Sequence, residues 1–272
     1  MNEDWSLPRP DLAQRRSEGF RPPPHARAVS PLDHLKLALR RFADLQFGSI
    51  WSDLQRLLPG LSGTVADVGC GAQPFRDLLP AGTRYIGVDI AAAGEAFGYH
   101  TPDTRYYQGD TLPLADGEAD HLLCTETLEH VLVPATLLAE LARVLRPDGR
   151  LVLTVPFAAR WHFVPHDYWR YTPSGLTHLL GAAGFDDIRV YPRGGALAVA
   201  AYKVLGYVLL LLAGAGADGA LRLLARVLGL LLLPLAALAA LCGNLGLAYP
   251  GSAEDTLGYT VLARRGAAGQ GR

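Results

Sequence analysis

The sequence has few cysteines and little net charge. Its three cysteines are too few and too scattered for a disulfide framework or a zinc cluster, which favours a reducing cytoplasm. The 25 basic and 26 acidic side chains nearly cancel, and no sustained basic stripe runs along the chain. Binding to nucleic acid depends largely on such a stripe. We therefore expect no nucleic-acid partner.

The N-terminus lacks the apolar core of a signal peptide. Residues 1–30 mix proline, arginine and acidic side chains, and we expect a disordered arm there. From Pro31, the spacing of Leu32, Leu35 and Leu39 predicts an amphipathic helix. This helix either caps the core and roofs a ligand cleft or rests a basic face on an anionic membrane. A second helix is expected over about residues 50–58.

A glycine loop follows the first clear strand. Residues 64–68 are strand-like, Gly69 and Gly71 follow them, and Asp89 ends a second strand about twenty residues later. Glycine lets the backbone approach a ligand that a β-carbon would block. An acid at the end of the next strand is placed to accept hydrogen bonds from a ribose diol. The sequence therefore predicts a nucleotide-cofactor site.

Pro74 stands where a dinucleotide-binding loop has its third glycine, so a nicotinamide-dependent oxidoreductase is disfavoured. The run Asp67-x-Gly69-x-Gly71 instead resembles the first motif of class I S-adenosylmethionine-dependent methyltransferases. The resemblance covers about residues 60–190, with a final strand near 257–264. It implies S-adenosylmethionine as cofactor and an α/β fold. That fold is a Rossmann-like, doubly wound, seven-stranded sheet with an antiparallel last strand.

The resemblance also implies which residues contact the cofactor. The loop with Gly69 and Gly71 would pass under the methionine part, Asp89 would hold the ribose, and Asp110 would reach the adenine amino group. Asp67 either contacts the cofactor, directly or through water, or organises the amides of the loop. The other expected contacts are Ile90, Thr111 and Thr125.

Residues 157–171 hold six of the 23 aromatic side chains and read as a pocket wall or lid. Residues 166–173 resemble a motif of a bacterial methyltransferase subgroup often associated with cell-surface glycan and small-metabolite pathways. Methyl transfer to a hydroxyl is helped by a base, a role that suits histidine. His166 is the first candidate and His130 the second, and His162 could substitute. Each could instead order the segment or shape the pocket, and His130 is expected to begin the helix after the fourth strand.

Two further features of this region have simple interpretations. Arg170 either binds an anionic substrate group or forms an internal salt bridge. Glu126 and Glu129 could suggest metal ligands, but their spacing resembles no metal site and no second cluster supports one. We expect no metal ion.

An apolar segment separates the sixth strand, near residues 188–191, from the seventh. Between Ala196 and Pro250 the charged side chains are Lys203, Asp218, Arg222 and Arg226. Because both strands must join one sheet, the segment has to leave and return on the same side of any membrane. Full spanning would also carry two arginines across, against the positive-inside tendency. We favour a monotopic helical hairpin in one leaflet over a helical pair buried in a homodimer or a true membrane span.

These observations give a domain plan and a leading hypothesis. The plan is an arm over 1–30, a methyltransferase domain over 31–195 and 251–265, and a hydrophobic helical insertion over 196–250. The expected function is methyl transfer, guessed to be O-methylation, to a small, glycan-like or lipid-linked acceptor at the cytoplasmic membrane face. The alternative is a membrane-associated scaffold or binding protein that keeps the fold without turnover.

Overall fold

The computed structural model describes residues 12–13, 15–18, 21, 23–92, 101–216, 218–248 and 254–266. The strands are β1 (Thr64–Val68), β2 (Arg84–Ile90), β3 (Thr104–Tyr107), β4 (Ala119–Thr125), β5 (Leu145–Pro156), β6 (Phe185–Pro192) and β7 (Gly258–Arg265). They form one sheet in the order β3-β2-β1-β4-β5-β7-β6, and β7 runs antiparallel to both of its neighbours. This is the predicted doubly wound α/β sheet with an antiparallel last strand.

The described helices lie on both faces of the sheet and in the insertion. They are α1 (Pro31–Ala43), α2 (Leu45–Leu57), α3 (Pro134–Val144), α4 (Pro173–Ala182), α5 (Ala196–Ala213), α6 (Gly219–Leu231) and α7 (Leu233–Ala248). The second helix begins earlier than its sequence pattern suggested, because the Asp44 carboxylate caps it by accepting a hydrogen bond from Phe47 N at 3.2 Å. His130 does not begin a helix: it ends a 3₁₀ turn at Leu128–His130, and α3 starts at Pro134.

The core lies on the two faces of the sheet, since successive strand side chains point to opposite sides. On one face, Leu122 belongs to a buried cluster with Leu138 and Leu141 of α3. On the other face, Leu123 packs in a cluster with Phe47 and other residues of α2. The two adjacent leucines of β4 therefore pack against helices on opposite faces of the sheet. The ends of the strands, between these two helical layers, remain available to form a site.

The insertion leaves and rejoins the sheet at neighbouring points. Leu257 N donates to Arg193 O at 3.1 Å, so the residues flanking the insertion are hydrogen-bonded to each other. By length and composition α5 could cross a membrane, and α6 with α7 would make a second such segment, bent by 53°. The insertion exposes many large apolar side chains: Leu197, Tyr207, Leu209, Leu221, Leu223, Leu224, Val227, Leu228, Leu230, Leu231, Leu233, Leu235, Leu238, Leu241 and Leu245.

The first helix also exposes its apolar face. Ser30 caps α1, with its hydroxyl accepting from Asp33 N at 3.2 Å, yet the helix buries no residue. Leu32, Leu35, Leu39 and Phe42 are all exposed. Residues 23–30 differ from the expected disordered arm because they pack on the domain: the His25 ring stacks on Phe47, with centroids 3.8 Å apart. Residues 1–11 of that predicted arm lie outside the described residues.

A buried arginine joins the sheet, α2 and the loop after β4. The Arg193 side chain, at the end of β6, is fully buried, and its Nη2 lies 2.8 Å from Glu126 Oε1. The same nitrogen donates to Val155 O at 3.0 Å, and Nη1 donates to Ser49 Oγ at 3.2 Å. Taking a guanidinium out of water is costly unless such partners replace the lost hydration. Arg193 therefore holds these elements in fixed relative positions.

Arg193→Met should lower the free energy of unfolding by about 3–5 kcal/mol, because it leaves Glu126 and the buried carbonyl without their donor. Urea unfolding followed by circular dichroism measures the change. Arg189→Met is the matched control on the same strand, since Arg189 is exposed and pairs with exposed Asp187; its cost should stay below about 1 kcal/mol. Equal costs for the two variants would contradict the role given to Arg193.

Candidate active site

The candidate site is a cavity of about 430 Å³ at the carboxyl ends of β1, β2 and β4. Open α/β sheets bind their ligands at this edge. The predicted residues that line it are Gly69, Gly71, Asp89, Ile90, Thr125 and His130. A second cavity of about 940 Å³ lies between α1, α2, α7 and the ends of β6 and β7. It holds neither the glycine loop nor the strand-end acid, so the first cavity is the functional candidate.

The loop after β1 needs glycine for two reasons. Gly69 has φ +75°, and a β-carbon there would lie 2.1 Å from Thr127 Oγ1. Gly71 has φ +52°, and its N–H donates to Asp89 Oδ2 at 2.9 Å. The other oxygen of Asp89 accepts from Ile90 N at 2.8 Å. The strand-end carboxylate is thus fixed by backbone amides at the cavity wall.

Asp67 lies beneath this loop and is 1% exposed. Its Oδ2 accepts a hydrogen bond from the Tyr85 hydroxyl at 2.8 Å, whereas Oδ1 has no hydrogen-bond partner among the described residues. Burial raises the pKa of Asp67 to about 7, and the nearby charge of Asp89 adds to the rise. A buried carboxyl oxygen without a partner is uncommon in a native structure and marks a place where a donor can bind.

Two expected cofactor residues lie apart from the cavity. Asp110 and Thr111 follow β3, are exposed, and are absent from the cavity lining described above. Tyr107, at the end of β3, lines the cavity instead. The roles given to Asp110 and Thr111 by resemblance stay predictions.

The three histidines differ in position. His130 and His162 both line the cavity, with ring centroids 5.0 Å apart. His130 Nδ1 lies 2.7 Å from His166 O and donates to it. His166 itself is exposed, and its ring bonds the Tyr168 hydroxyl at 3.1 Å. The structure therefore brings His130 to the cavity, while the side chain of the first candidate, His166, lies outside the lining.

The electrostatics near His130 keep it neutral. Burial, with a smaller contribution from the neighbouring His162, lowers the pKa of His130 to about 4. Beside it, Glu129 is fully buried, and burial together with the charge of Glu126 raises the pKa of Glu129 well above its usual value. Arg170 does not face an open anion site but pairs with Asp167, Nη1 to Oδ1 at 2.6 Å. This matches the salt-bridge alternative for Arg170.

The N-terminal segment forms part of the cavity wall, which the sequence pattern did not reveal. Its contributions are Glu18, Arg21, Pro23, Pro24 and His25. The segment has no helical or strand periodicity and no sequence motif. Its place over the cavity follows from tertiary contacts, such as the ion pair between Arg27 Nη2 and Asp77 Oδ1 at 2.6 Å.

The fold and the loop together define a class I S-adenosylmethionine-dependent methyltransferase domain. Residues 66–153 match a family model described as a methyltransferase domain. S-adenosylmethionine is the cofactor of the class. The class assignment confirms the resemblance drawn from the glycine loop.

Relatives and solved structures agree with this assignment. The chain is 38% identical over 131 residues to an uncharacterized methyltransferase of Mycobacteroides abscessus, covering 44% of this chain and 47% of that protein. It is 36% identical over 153 residues to an uncharacterized 37.1 kDa protein in transposon TN4556 of Streptomyces fradiae, covering 52% of this chain and 41% of that protein. The chain thus spans less than half the length of these relatives.

A putative methyltransferase from an antibiotic biosynthesis pathway of Anabaena variabilis has a similar fold. The TM-score is 0.51 at 19% identity, covering 79% of this chain and 96% of that one. At this identity the likeness concerns the fold alone.

The residues present fit the cofactor of the class. Gly69 packs directly against the Thr127 side chain, which a β-carbon would not permit, and both residues line the cavity. Asp89 lines the same cavity, where a ribose hydroxyl could donate to it. The partnerless Oδ1 of Asp67 gives a buried acceptor beneath the loop.

The raised pKa of Asp67 predicts a pH-dependent effect of Asp67→Asn. The pKa of Asp67 is about 7 in the folded state, which is above its value in the unfolded chain. The native protein therefore loses stability as pH rises from the unfolded towards the folded pKa. The asparagine variant should therefore gain stability over the native protein between pH 5 and pH 8, by on the order of 2 kcal/mol. Urea unfolding of the apoprotein at several pH values measures this gain. A stability difference that stays constant over that interval would contradict the prediction.

Proposed function

We propose that the protein transfers a methyl group from S-adenosylmethionine to a hydroxyl of a small, glycan-like or lipid-linked acceptor at the cytoplasmic membrane face. The observation that carries the proposal is the cavity in which Asp89 and the glycine loop meet His130. The first two provide the cofactor end, and His130 provides a neutral imidazole at the other wall.

The cofactor end is argued from backbone geometry. Gly69 and Gly71 would hold the methionine part, and Asp89 would accept from the ribose. The cofactor supplies an electrophilic methyl group on a positively charged sulfur. Asp89 is a buried acid in the lining of this end of the cavity, so its charge favours a cationic ligand.

The acceptor end is argued from the groups that can take a proton. Methyl transfer needs the acceptor oxygen aligned with the methyl group, and a base helps to remove its proton. The depressed pKa of His130 keeps its imidazole neutral at physiological pH. Glu126 also lines this wall, held by Arg193. Because His130 lines the cavity and the His166 side chain does not, we expect His130 rather than His166 to contact the acceptor hydroxyl.

Calorimetric titration with S-adenosylhomocysteine tests the cofactor site. We expect Asp89→Asn to weaken binding by at least about tenfold, because the amide keeps the size of the side chain but loses the charge and one acceptor. Asp116→Ala is the matched control: that carboxylate is 81% exposed and pairs with Arg143. Its affinity should equal that of the native protein. No binding by the folded native chain would overturn the proposal and favour the scaffold alternative.

The membrane part of the proposal rests on the exposed apolar insertion. Its two ends are hydrogen-bonded to each other, so it leaves and returns on one side. Near its tip, Asp218 pairs with Arg222 at 2.7 Å, and Arg226 lies one turn further along α6. Arginines at that position suit phospholipid head groups better than a crossing of the bilayer. A monotopic insertion in one leaflet satisfies both constraints.

The insertion also reaches the site. Tyr202 of α5 lines the candidate cavity, and the next residue, Lys203, donates from Nζ to Ala158 O in the aromatic segment. The first helix adjoins it, since Asn244 Nδ2 of α7 donates to Phe42 O at 2.9 Å. An acceptor with an apolar tail could therefore lie along the insertion while its head group enters the cavity.

Flotation with vesicles of phosphatidylglycerol and phosphatidylcholine tests membrane contact. The triple variant L221Q/L224Q/L228Q should lose most of its binding, because three exposed apolar side chains leave the lipid interface. A matched triple variant outside the insertion, V29Q/L132Q/V133Q, also changes exposed residues and should float like the native protein. A native chain that stays unbound as a stable dimer would contradict the proposal and favour the homodimer alternative.

A further inference from the structure

A fully buried carboxylate and two histidines meet beside the candidate cavity. One ligand atom each from Glu129, His130 and His162 lie within 4.8 Å of one another. His130 Nε2 is 3.5 Å from Glu129 Oε1. Glu126 and Glu129 alone gave no metal pattern in the sequence. His162 comes from the segment after β5, and it meets Glu129 and His130 only in the folded chain.

Glu129 carries a second, independent indication of a ligand. Its side chain is 0% exposed, and neither of its carboxylate oxygens has a hydrogen-bond partner among the described residues. A buried carboxyl group whose oxygens have no hydrogen-bond partner is costly, whereas a cation bound by one of these oxygens would compensate that cost. The two imidazoles beside it are the groups that can hold such a cation.

Each histidine is oriented as a metal ligand usually is. Metal-binding histidines commonly donate the other ring N–H to a carbonyl or carboxylate, which fixes the tautomer. His130 donates from Nδ1 to His166 O at 2.7 Å. His162 Nδ1 lies 3.0 Å from both Arg160 O and Asp167 Oδ2, which are acceptors, and 3.5 Å from a nitrogen of Arg170, which is a donor. The two closer acceptors favour a proton on Nδ1. In both rings Nδ1 faces an acceptor, which leaves Nε2 as the nitrogen available to a metal ion.

We propose that Glu129, His130 and His162 bind a divalent transition-metal ion at the wall of the candidate cavity. Two imidazoles and one carboxylate suit Zn²⁺ or Fe²⁺ better than Mg²⁺, which prefers oxygen ligands. Bond lengths of about 2.0–2.2 Å require the ligand atoms to approach slightly from their present separations. Three protein ligands leave further coordination positions open.

The open positions give the ion a role in acceptor binding that takes the place of a free His130 imidazole, and this role rests on the proposed methyl transfer. His130 and His162 line the cavity, so a ligand in the cavity can reach the ion. A hydroxyl bound to the ion loses its proton to water more readily. Its oxygen then forms the new C–O bond as the C–S bond breaks and its electron pair returns to sulfur. The expected acceptor class is an alcohol or vicinal diol that binds the metal.

Zinc titration of the untagged full chain tests the site, with metal content measured by mass spectrometry and affinity by calorimetry. We expect one Zn²⁺ per native chain and at least about 100-fold weaker binding in both Glu129→Gln and His162→Gln. His178→Gln, an exposed histidine of α4, is the matched control and should bind like the native protein. Bound Co²⁺ should give visible absorption bands that disappear in the two ligand variants.

The readouts separate this inference from the proposed function. Circular dichroism and S-adenosylhomocysteine binding establish that each variant is folded, and His162→Gln changes a partly exposed residue that the core does not require. Substoichiometric zinc in the native chain, or equal affinity in both ligand variants and the control, would overturn the metal site. Retained zinc binding without any S-adenosylhomocysteine binding would support the metal site and count against the proposed function.

Discussion

The buried charge of Arg193 is the constraint that connects the separate parts of this molecule. A guanidinium with no exposure is costly to bury unless acceptors replace its lost hydration, and both terminal nitrogens of Arg193 have such acceptors, whereas its Nε has none among the described residues. Here the acceptors come from α2, from β5 and from Glu126, whose backbone has φ +47° and whose side chain lines the candidate cavity. Arg193 lies shortly before the insertion, whose first helix begins at Ala196. The hydrogen bonds of Arg193 therefore hold both the base of the apolar helices and the wall of the site that Glu126 forms.

The site itself concentrates buried acids that its own chain does not fully satisfy. Asp67 has one carboxyl oxygen without a partner and Glu129 has two. Buried carboxyl groups with unsatisfied oxygens lower the stability of the apoprotein, so a cation bound next to either one would stabilise the fold. A sulfonium near Asp67 and a metal ion at Glu129 would each compensate one of these costs. Binding and folding stability are therefore coupled at this cavity.

Local signals predicted the parts of the fold that local chemistry determines. The strand predicted over residues 64–68 agrees with β1, and the glycine loop has the positive φ angles that its glycines permit. The start of α2 was missed because a single capping carboxylate, Asp44, moved it beyond the apolar pattern. The meeting of His162 with Glu129 was not predictable, because it depends on where the segment after β5 returns to the loop after β4. Burial of Arg193 likewise has no sequence signature.

In our proposal, the position of the insertion links membrane contact to the entry of the acceptor into the cavity. A helix that lay far from the cavity could anchor the domain but could not choose its acceptor. Tyr202 of α5 instead lines the cavity, and Lys203 is tied to the aromatic segment at Ala158. If the exposed leucines of α6 and α7 lie in one leaflet, α5 carries the cavity to the head-group layer. An acceptor held by a lipid tail would then need only to tilt its head group, since diffusion in the membrane has already brought it to the entrance.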